Sequence, residues 1–259
     1  MTKQDTTTDA EAAPRSFGRK ILGWVTEGAI IIVGALIISA LLRTFVGQMF
    51  VIPSGSMENT LVPSDRVLVS KIGGFQRGDI VVFEDPGNWM STKPEPRSGI
   101  GQVLEFVGLL PSTSTNHLIK RVIGMPGDEV SCCDAKGRLM VNGVALEESD
   151  YIFVDSNGVM NAPANVPFDV VVPKDRIFVM GDHRGASGDS RCHLSDTGQE
   201  GTGMAAFIPK SKVVGASVAI VAPLNRLRAF SVPETFKLIP AAKDPPPDTP
   251  TLKVVNPGC

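Results

Sequence analysis

Hydrophobic and polar positions divide the chain into stretches of different texture. Residues 1–20 are polar and predict a disordered segment. From Gly28 to Leu42 no residue is charged (GAIIIVGALIISALL), and extended back to Ile21 the apolar run is broken only by Glu27. About 22 helical residues at about 1.5 Å each give roughly 33 Å, enough to cross a bilayer core of about 30 Å. The pattern therefore predicts a transmembrane anchor over 21–43. A buried soluble helix is the blander alternative. A cleaved leader is another, but its apolar core is normally shorter and ends in a small-residue A-x-A site, which is missing here.

From Phe50 onward the texture changes to short Val- and Ile-rich runs bounded by Gly, Pro and Asp. These are RVLVSKI (66–72), DIVVFE (79–84), LIKRVIG (118–124), RLMVNGVAL (138–146), DVVVP (169–173), RIFVMGD (176–182) and VVGASVAIVA (213–222). Such runs read as strands, and Asn142-Gly143 signals a hairpin turn. The predicted class is mainly β, with a β-rich domain over 44–239 behind the anchor. Residues 85–116 are rich in Pro, Gly, Ser and Thr around an apolar patch, IGQVLEFVGLLP. They are expected to form a loop packed on the sheet, with a short amphipathic helix at the membrane surface as the alternative. Residues 185–208 predict an irregular loop, and 240–259 a Pro-rich flexible tail.

Charge adds direction to this layout. Arg15, Arg19 and Lys20 precede the apolar run closely, and only Arg43 follows it closely. The positive-inside rule then places the N-terminus in the cytoplasm and everything after about residue 45 outside. A net charge of −2 with 20% charged residues gives no sign of a nucleic-acid partner. The 4 cysteines, Cys132, Cys133, Cys192 and Cys259, lie on the predicted outer side, where disulfides are permitted. Neighbouring Cys132 and Cys133 would be strained if joined, so one of them is expected to pair with Cys192, though sequence does not choose among the pairings. No C-x-x-C suggests a thiolate metal site.

Three segments carry chemistry. In IPSGSMENTL (52–61), Ser56 lies just beyond the span, with Gly55 allowing close backbone approach. Alone this is also an ordinary Ser/Gly turn. In LIKRVIGMPGDEV (118–130), strand alternation puts Leu118, Lys120 and Val122 on one face and Ile119, Arg121 and Ile123 on the other. Whichever face meets the core, a cation sits among apolar residues. A buried lysine responds by lowering its pKa and becomes a competent general base, which arginine cannot be. Snorkelling of the stem to the rim is the plain alternative. In IFVMGDHRGASGDSR (177–191), Asp182, Arg184, Asp189 and Arg191 offer paired charges in one loop, either as a brace for a site or as a salt-bridged surface.

Taken together, in this order and behind a membrane span, S-G-S-M, KRVIGMPGD (120–128) and GDHRGASGDSR (181–191) resemble the bacterial type I signal peptidases, or leader peptidases. The resemblance runs from about Ile21 to Ala222. It implies a small Ser-Lys protease β core with a β insertion at 131–172, on a single N-terminal transmembrane helix. It implies a serine endopeptidase of the bacterial plasma membrane that removes signal peptides after small-x-small sites. Ser56 would be the nucleophile and Lys120 the base. The Ser56 N–H and the Ser54 hydroxyl would form the oxyanion hole, and Ser187 would orient the Lys120 amine. Asp182, Arg121, Asp189 and Arg191 would brace these groups. Ile52, Met57, Leu61 and Ile119 would line shallow apolar pockets. The implied partners are secretory preproteins, the lipid bilayer and the protein translocation machinery, with no metal or cofactor. The chain departs from the family pattern at Glu58-Asn59, where Pro is common before Thr-Leu, and at His183, Gly185 and Ala186, where polar residues are common.

Other readings place the chemistry elsewhere. A Ser-His-Asp triad would need His117, His183 or His193. A sortase-like enzyme would use Cys192 with His193, but no T-L-x-T-C element precedes them. A self-cleaving repressor shares Ser-Lys chemistry but would carry a DNA-binding domain in place of the span. A membrane-anchored scaffold with a degenerate site is the non-enzyme alternative.

Overall fold

The computed structural model describes residues 17–87, 89–90, 98–106, 116–160 and 167–255. Residues 1–16 of the segment expected to be disordered, the rest of the 85–116 loop and Cys259 lie outside the described residues, while residues 17–20 of that segment are helical and not disordered. The chain opens with α1 (Phe17–Phe45), and its segment Leu22–Phe45 is long and apolar enough to cross a membrane, with a mean hydropathy of 2.3. None of that segment is buried in protein: Trp24, Ile30 and Ile31 are more than two-thirds exposed. An apolar helix left bare in this way is suited to lipid rather than to water. One residue later the chain enters β1 (Gly47–Val51), held by the Val46 amide donating to Leu42 O and the Lys71 amide donating to Val46 O.

Two antiparallel sheets follow. The larger contains β1, β2 (Arg66–Ser70), β3 (Ile80–Glu84), β4 (His117–Gly124), β9 (Arg176–Met180), β12 (Ile208–Pro209), β13 (Val213–Ala222) and β14 (Arg228–Ala229). Its order is β1-β2-β13-β3-β4-β9-β12, with β14 on β13. The smaller comprises β5 (Glu129–Cys132), β6 (Leu139–Val141), β7 (Val144–Ala145), β8 (Phe168–Val171) and β15 (Thr251–Val255), in the order β15-β8-β5-β6-β7. A small hairpin, β10 (Thr197–Gly198) with β11 (Gly201–Thr202), interrupts the stretch expected to be irregular. Each Val- and Ile-rich run read as a strand contains one. The Asn142-Gly143 turn has φ of 50° and 80°, the left-handed pair that closes a two-residue hairpin. The sheets are joined by aromatic packing: Phe178 of β9 sits 5.5 Å from Phe168 and 5.7 Å from Phe207. Ile123 and Met180 enter the same cluster. At the junction β4 passes so close to the smaller sheet that a Cβ at Gly124 would stand 2.7 Å from Val130 Cγ2.

Three expectations need correction. Ile100–Phe106 is a short helix, α2, not a loop. The stretch from 240 to 255 is not free: Thr251–Val255 pairs with Phe168–Val171, and the Lys174 amide donates to Pro247 O. The TLKVV segment satisfies the open edge of β8, and just before it Phe236 and Ile239 are buried in the shared core. Cys132 is bonded to its neighbour Cys133, not to Cys192.

Candidate active site

The nucleophile candidate sits in a loop closed at its neck. The Ile52 amide donates to Asp65 O and the Ser64 amide to Ile52 O, each at 2.9 Å. Inside the loop the Glu58 amide donates to Gly55 O and the Leu61 amide to Met57 O, so the chain turns tightly around Ser56. Met57 and Leu61 are wholly buried against Phe50, Val67, Ile80 and Ile119. These two apolar side chains fix the turn, and with it the position of the serine between them and the sheet. Ile52 and Ile119 belong to the same cluster. The four residues expected to line shallow apolar pockets are all buried in this one cluster on the sheet. Ser54 is exposed, two residues before the serine.

Lys120 lies in the middle of β4, opposite Val81 of β3. Ser56 and Lys120 are 6% and 3% exposed, and Lys120 Nζ donates to Ser56 Oγ at 2.5 Å. Burial pushes the amine down from its ordinary 10.5 to about 8. Asp189 and Asp182 oppose that fall, and Arg191 adds to it. The neighbouring Arg121 is buried too, on the opposite face of the strand. Its guanidinium donates to both oxygens of Asp182 (2.8 and 2.6 Å) and to Gly78 O, and lies 4.3 Å from the Tyr151 ring centroid. Strand alternation thus puts one cation on the serine and the other in a fixed ion pair.

The loop after β9 carries the anions. Gly181 leaves no space for a side chain: a Cβ would overlap Ser187 Oγ and Ser56 O. Asp182 Oδ2 also accepts from Thr60 Oγ1 at 2.6 Å, which ties the two loops together. Asp189 accepts from the Gly181 amide, the Ser187 hydroxyl and the Arg191 guanidinium. Burial alone would raise its carboxyl, but Arg191 and these bonds bring it below the usual carboxylate range. The hydrogen bond of Ser187 is thus to Asp189, while that of Lys120 is to Ser56. Arg184 pairs with Glu148 at 2.5 Å and donates to Gly181 O. Tyr151 donates to the same Glu148 at 2.6 Å.

Sequence reasoning did not single out Thr60, Glu148 and Tyr151, and expected Arg184 to pair with the carboxylates of its own loop, whereas its ion pair is with Glu148. The only available hint was that a buried Arg184 requires an anion; nothing local marks Glu148 as that anion. The histidines have partners of their own: His183 with Glu58, His193 with Asp196, and His117 packed 5.2 Å from Phe50. Among the described residues, no three His, Cys, Asp or Glu side chains converge as metal ligands.

Residues 24–222 match the family model for signal peptidase, peptidase S26. The chain is 34% identical over 251 residues to signal peptidase I of Mycobacterium tuberculosis (strain CDC 1551 / Oshkosh), covering 86% of this chain and 81% of that protein. It is 31% identical over 215 residues to signal peptidase I P of Bacillus subtilis subsp. natto, covering 80% and 92%. With signal peptidase I of Leptolyngbya laminosa it shares 31% over 210 residues, covering 79% and 83%.

Proposed function

That the chain belongs to the signal peptidase family, peptidase S26, makes it a serine peptidase that removes signal peptides, and we propose that Ser56 is its nucleophile and Lys120 the base that serves it. The observation that carries this reading is the 2.5 Å contact between Lys120 Nζ and Ser56 Oγ, with both side chains buried. With a pKa of about 8, about one lysine in ten is neutral at pH 7, and the fraction rises with pH. A neutral amine accepts the Oγ proton as Oγ attacks the scissile carbonyl. The ammonium then returns that proton to the departing amine of the mature protein. The acyl group on Ser56 is released by water that Lys120 deprotonates in turn.

The Ser56 N–H and the Ser54 hydroxyl are the oxyanion donors in this reading. Loss of one such donor typically lowers the rate about 100-fold or more. Asp182 holds Arg121, and Asp189 holds Ser187 and Arg191, so the walls around the lysine stay fixed while its charge changes. Ile52, Met57, Leu61 and Ile119 back the shallow apolar pockets beside the serine from the core beneath. A wall so closely packed leaves room for small residues at the first and third positions before the cut.

Placement completes the reading. The anchor enters the bilayer with its N-terminus in the cytoplasm, and the peptidase domain stands outside. Its serine follows the span by about ten residues, a reach of at most about 36 Å. Secretory preproteins, delivered by the translocation machinery, present their cut sites near the same surface. Sharing that surface raises the effective concentration of the bond to be cut. The test is processing of a secretory preprotein in detergent by the wild type, Ser56→Ala and Lys120→Ala, with N-terminal sequencing of the product. Cleavage after a small-x-small site by the wild type alone is expected. An active Lys120→Ala protein would overturn the assignment of the base.

A further inference from the structure

Glu58 and His183, both outside the steps above, face each other across the mouth of the site. His183 Nδ1 and Glu58 Oε2 are 2.9 Å apart. The His183 amide donates to Ser56 O at 3.1 Å. The Glu58 carboxylate lies against Gly55, where a Cβ would stand 2.7 Å from Oε1. The imidazole is stacked on Phe153, with centroids 3.9 Å apart and planes 21° from parallel. Phe153 is itself anchored, its amide donating to Asp182 O at 3.0 Å. The pair is thus built into the rim: the side chains of His183 and Glu58 are 18% and 33% exposed.

The position of this pair gives it a use. The direction of the Ser56 N–H is set by the plane of the Gly55–Ser56 peptide. Gly55 has no Cβ to restrict its backbone, so that peptide depends on contacts around it, the first being the Glu58 amide on Gly55 O at 2.9 Å. The Glu58 carboxylate covers Gly55 on the N-terminal side of Ser56, and the His183 amide holds the Ser56 carbonyl, which belongs to the next peptide, Ser56–Met57. The imidazole–carboxylate contact locks these two restraints to each other. We propose that Glu58 and His183 are a positioning pair that brackets Ser56, Glu58 at Gly55 and His183 at the Ser56–Met57 peptide, and so aims the Ser56 N–H at the oxyanion, without touching substrate. This rests on the reading of Ser56 as nucleophile.

The experiment measures kcat and KM for the full-length protein in detergent, with a peptide spanning a signal-peptide cut site. His183→Ala and Glu58→Ala are each expected to lower kcat about 10-fold, less than outright loss of an oxyanion donor, with KM held within about twofold. The double variant should be no slower than the slower single one, as for two groups acting as a unit. His183→Asn, which keeps a side-chain N–H for Glu58, should recover most of the loss. Gly55→Ala changes neither partner but drives the carboxylate off the imidazole. It should slow the wild type and cost nothing further in the Glu58→Ala background, which keeps the test open even where His183→Ala fails to fold. Losses that multiply in the double variant, a raised KM with kcat intact, or unchanged kinetics in both single variants would each overturn the proposal. Ser56→Ala is run alongside: activity surviving there would instead overturn the nucleophile assignment, whatever the pair variants show.

Discussion

Replacing Lys120 by methionine should abolish cleavage and at the same time stabilise the fold at pH 7. Burial, only partly offset by Asp189 and Asp182, lowers the amine from 10.5 to about 8 in the folded protein. The unfolded chain keeps the ordinary value. Between pH 8 and 10.5 the unfolded state therefore holds more protons than the folded one, and stability rises with pH across that window. Below pH 8 the folded protein carries the whole cost, about 3.4 kcal/mol at about 1.36 kcal/mol per pKa unit. About 2.5 kcal/mol of this is relieved by pH 10. Methionine keeps an unbranched stem but leaves Ser56 Oγ without its partner, a loss of about 1 kcal/mol. The net expectation is a stabilisation of about 2 kcal/mol at pH 7 that has vanished by pH 10. Urea unfolding of both proteins at the two pH values measures it. A variant less stable than wild type at pH 7, or a gap that does not change with pH, would refute the reasoning.

Further expectations follow from the same site. The kcat/KM of the wild type should rise about tenfold per pH unit and level off near pH 8, where the amine becomes neutral; a limb set near the ordinary lysine value would contradict the buried base. Asp189→Asn removes the foremost anion holding the Lys120 pKa up, so the limb should move to lower pH, and buried Arg191 loses its partner at a cost of about 3–5 kcal/mol; denaturant titration and a pH–rate profile read the two effects. Glu148→Ala removes the carboxylate that buried Arg184 meets at 2.5 Å and the acceptor of the Tyr151 hydroxyl, and should destabilise the fold, measured as a lowered unfolding midpoint. Gly181→Ala drives a methyl group into the Ser56 carbonyl and should inactivate the enzyme; full activity would show that the 181–187 turn can move.

The strands were legible because β-branched composition and turn chemistry are local properties. RVLVS, IVVFE and RIFVM each sit between turn residues, and Asn142-Gly143 specifies its own hairpin. The Ser56–Lys120 contact is not local, since 64 positions separate the two residues. It became legible only because three motifs in order resemble one family. What escaped is what depends on distant partners. TLKVV is short and follows a Pro-rich stretch, and only the open edge of β8, about 80 residues earlier, makes it a strand. Glu148 looks like any surface acid until Arg184 and Tyr151 close on it. Met57 and Leu61 read as pocket walls from motif position, whereas the depth of the sheet beneath them makes them core.

The central claim, that Ser56 is acylated in turnover, is tested most directly by trapping the intermediate. Enzyme and a secretory preprotein are mixed, quenched in acid within one turnover, digested and mapped by mass. The expected result is a signal-peptide acyl group on the fragment containing Ser56 in the wild type, and none in Ser56→Ala. An adduct on any other residue, or an identical adduct in Ser56→Ala, would contradict it.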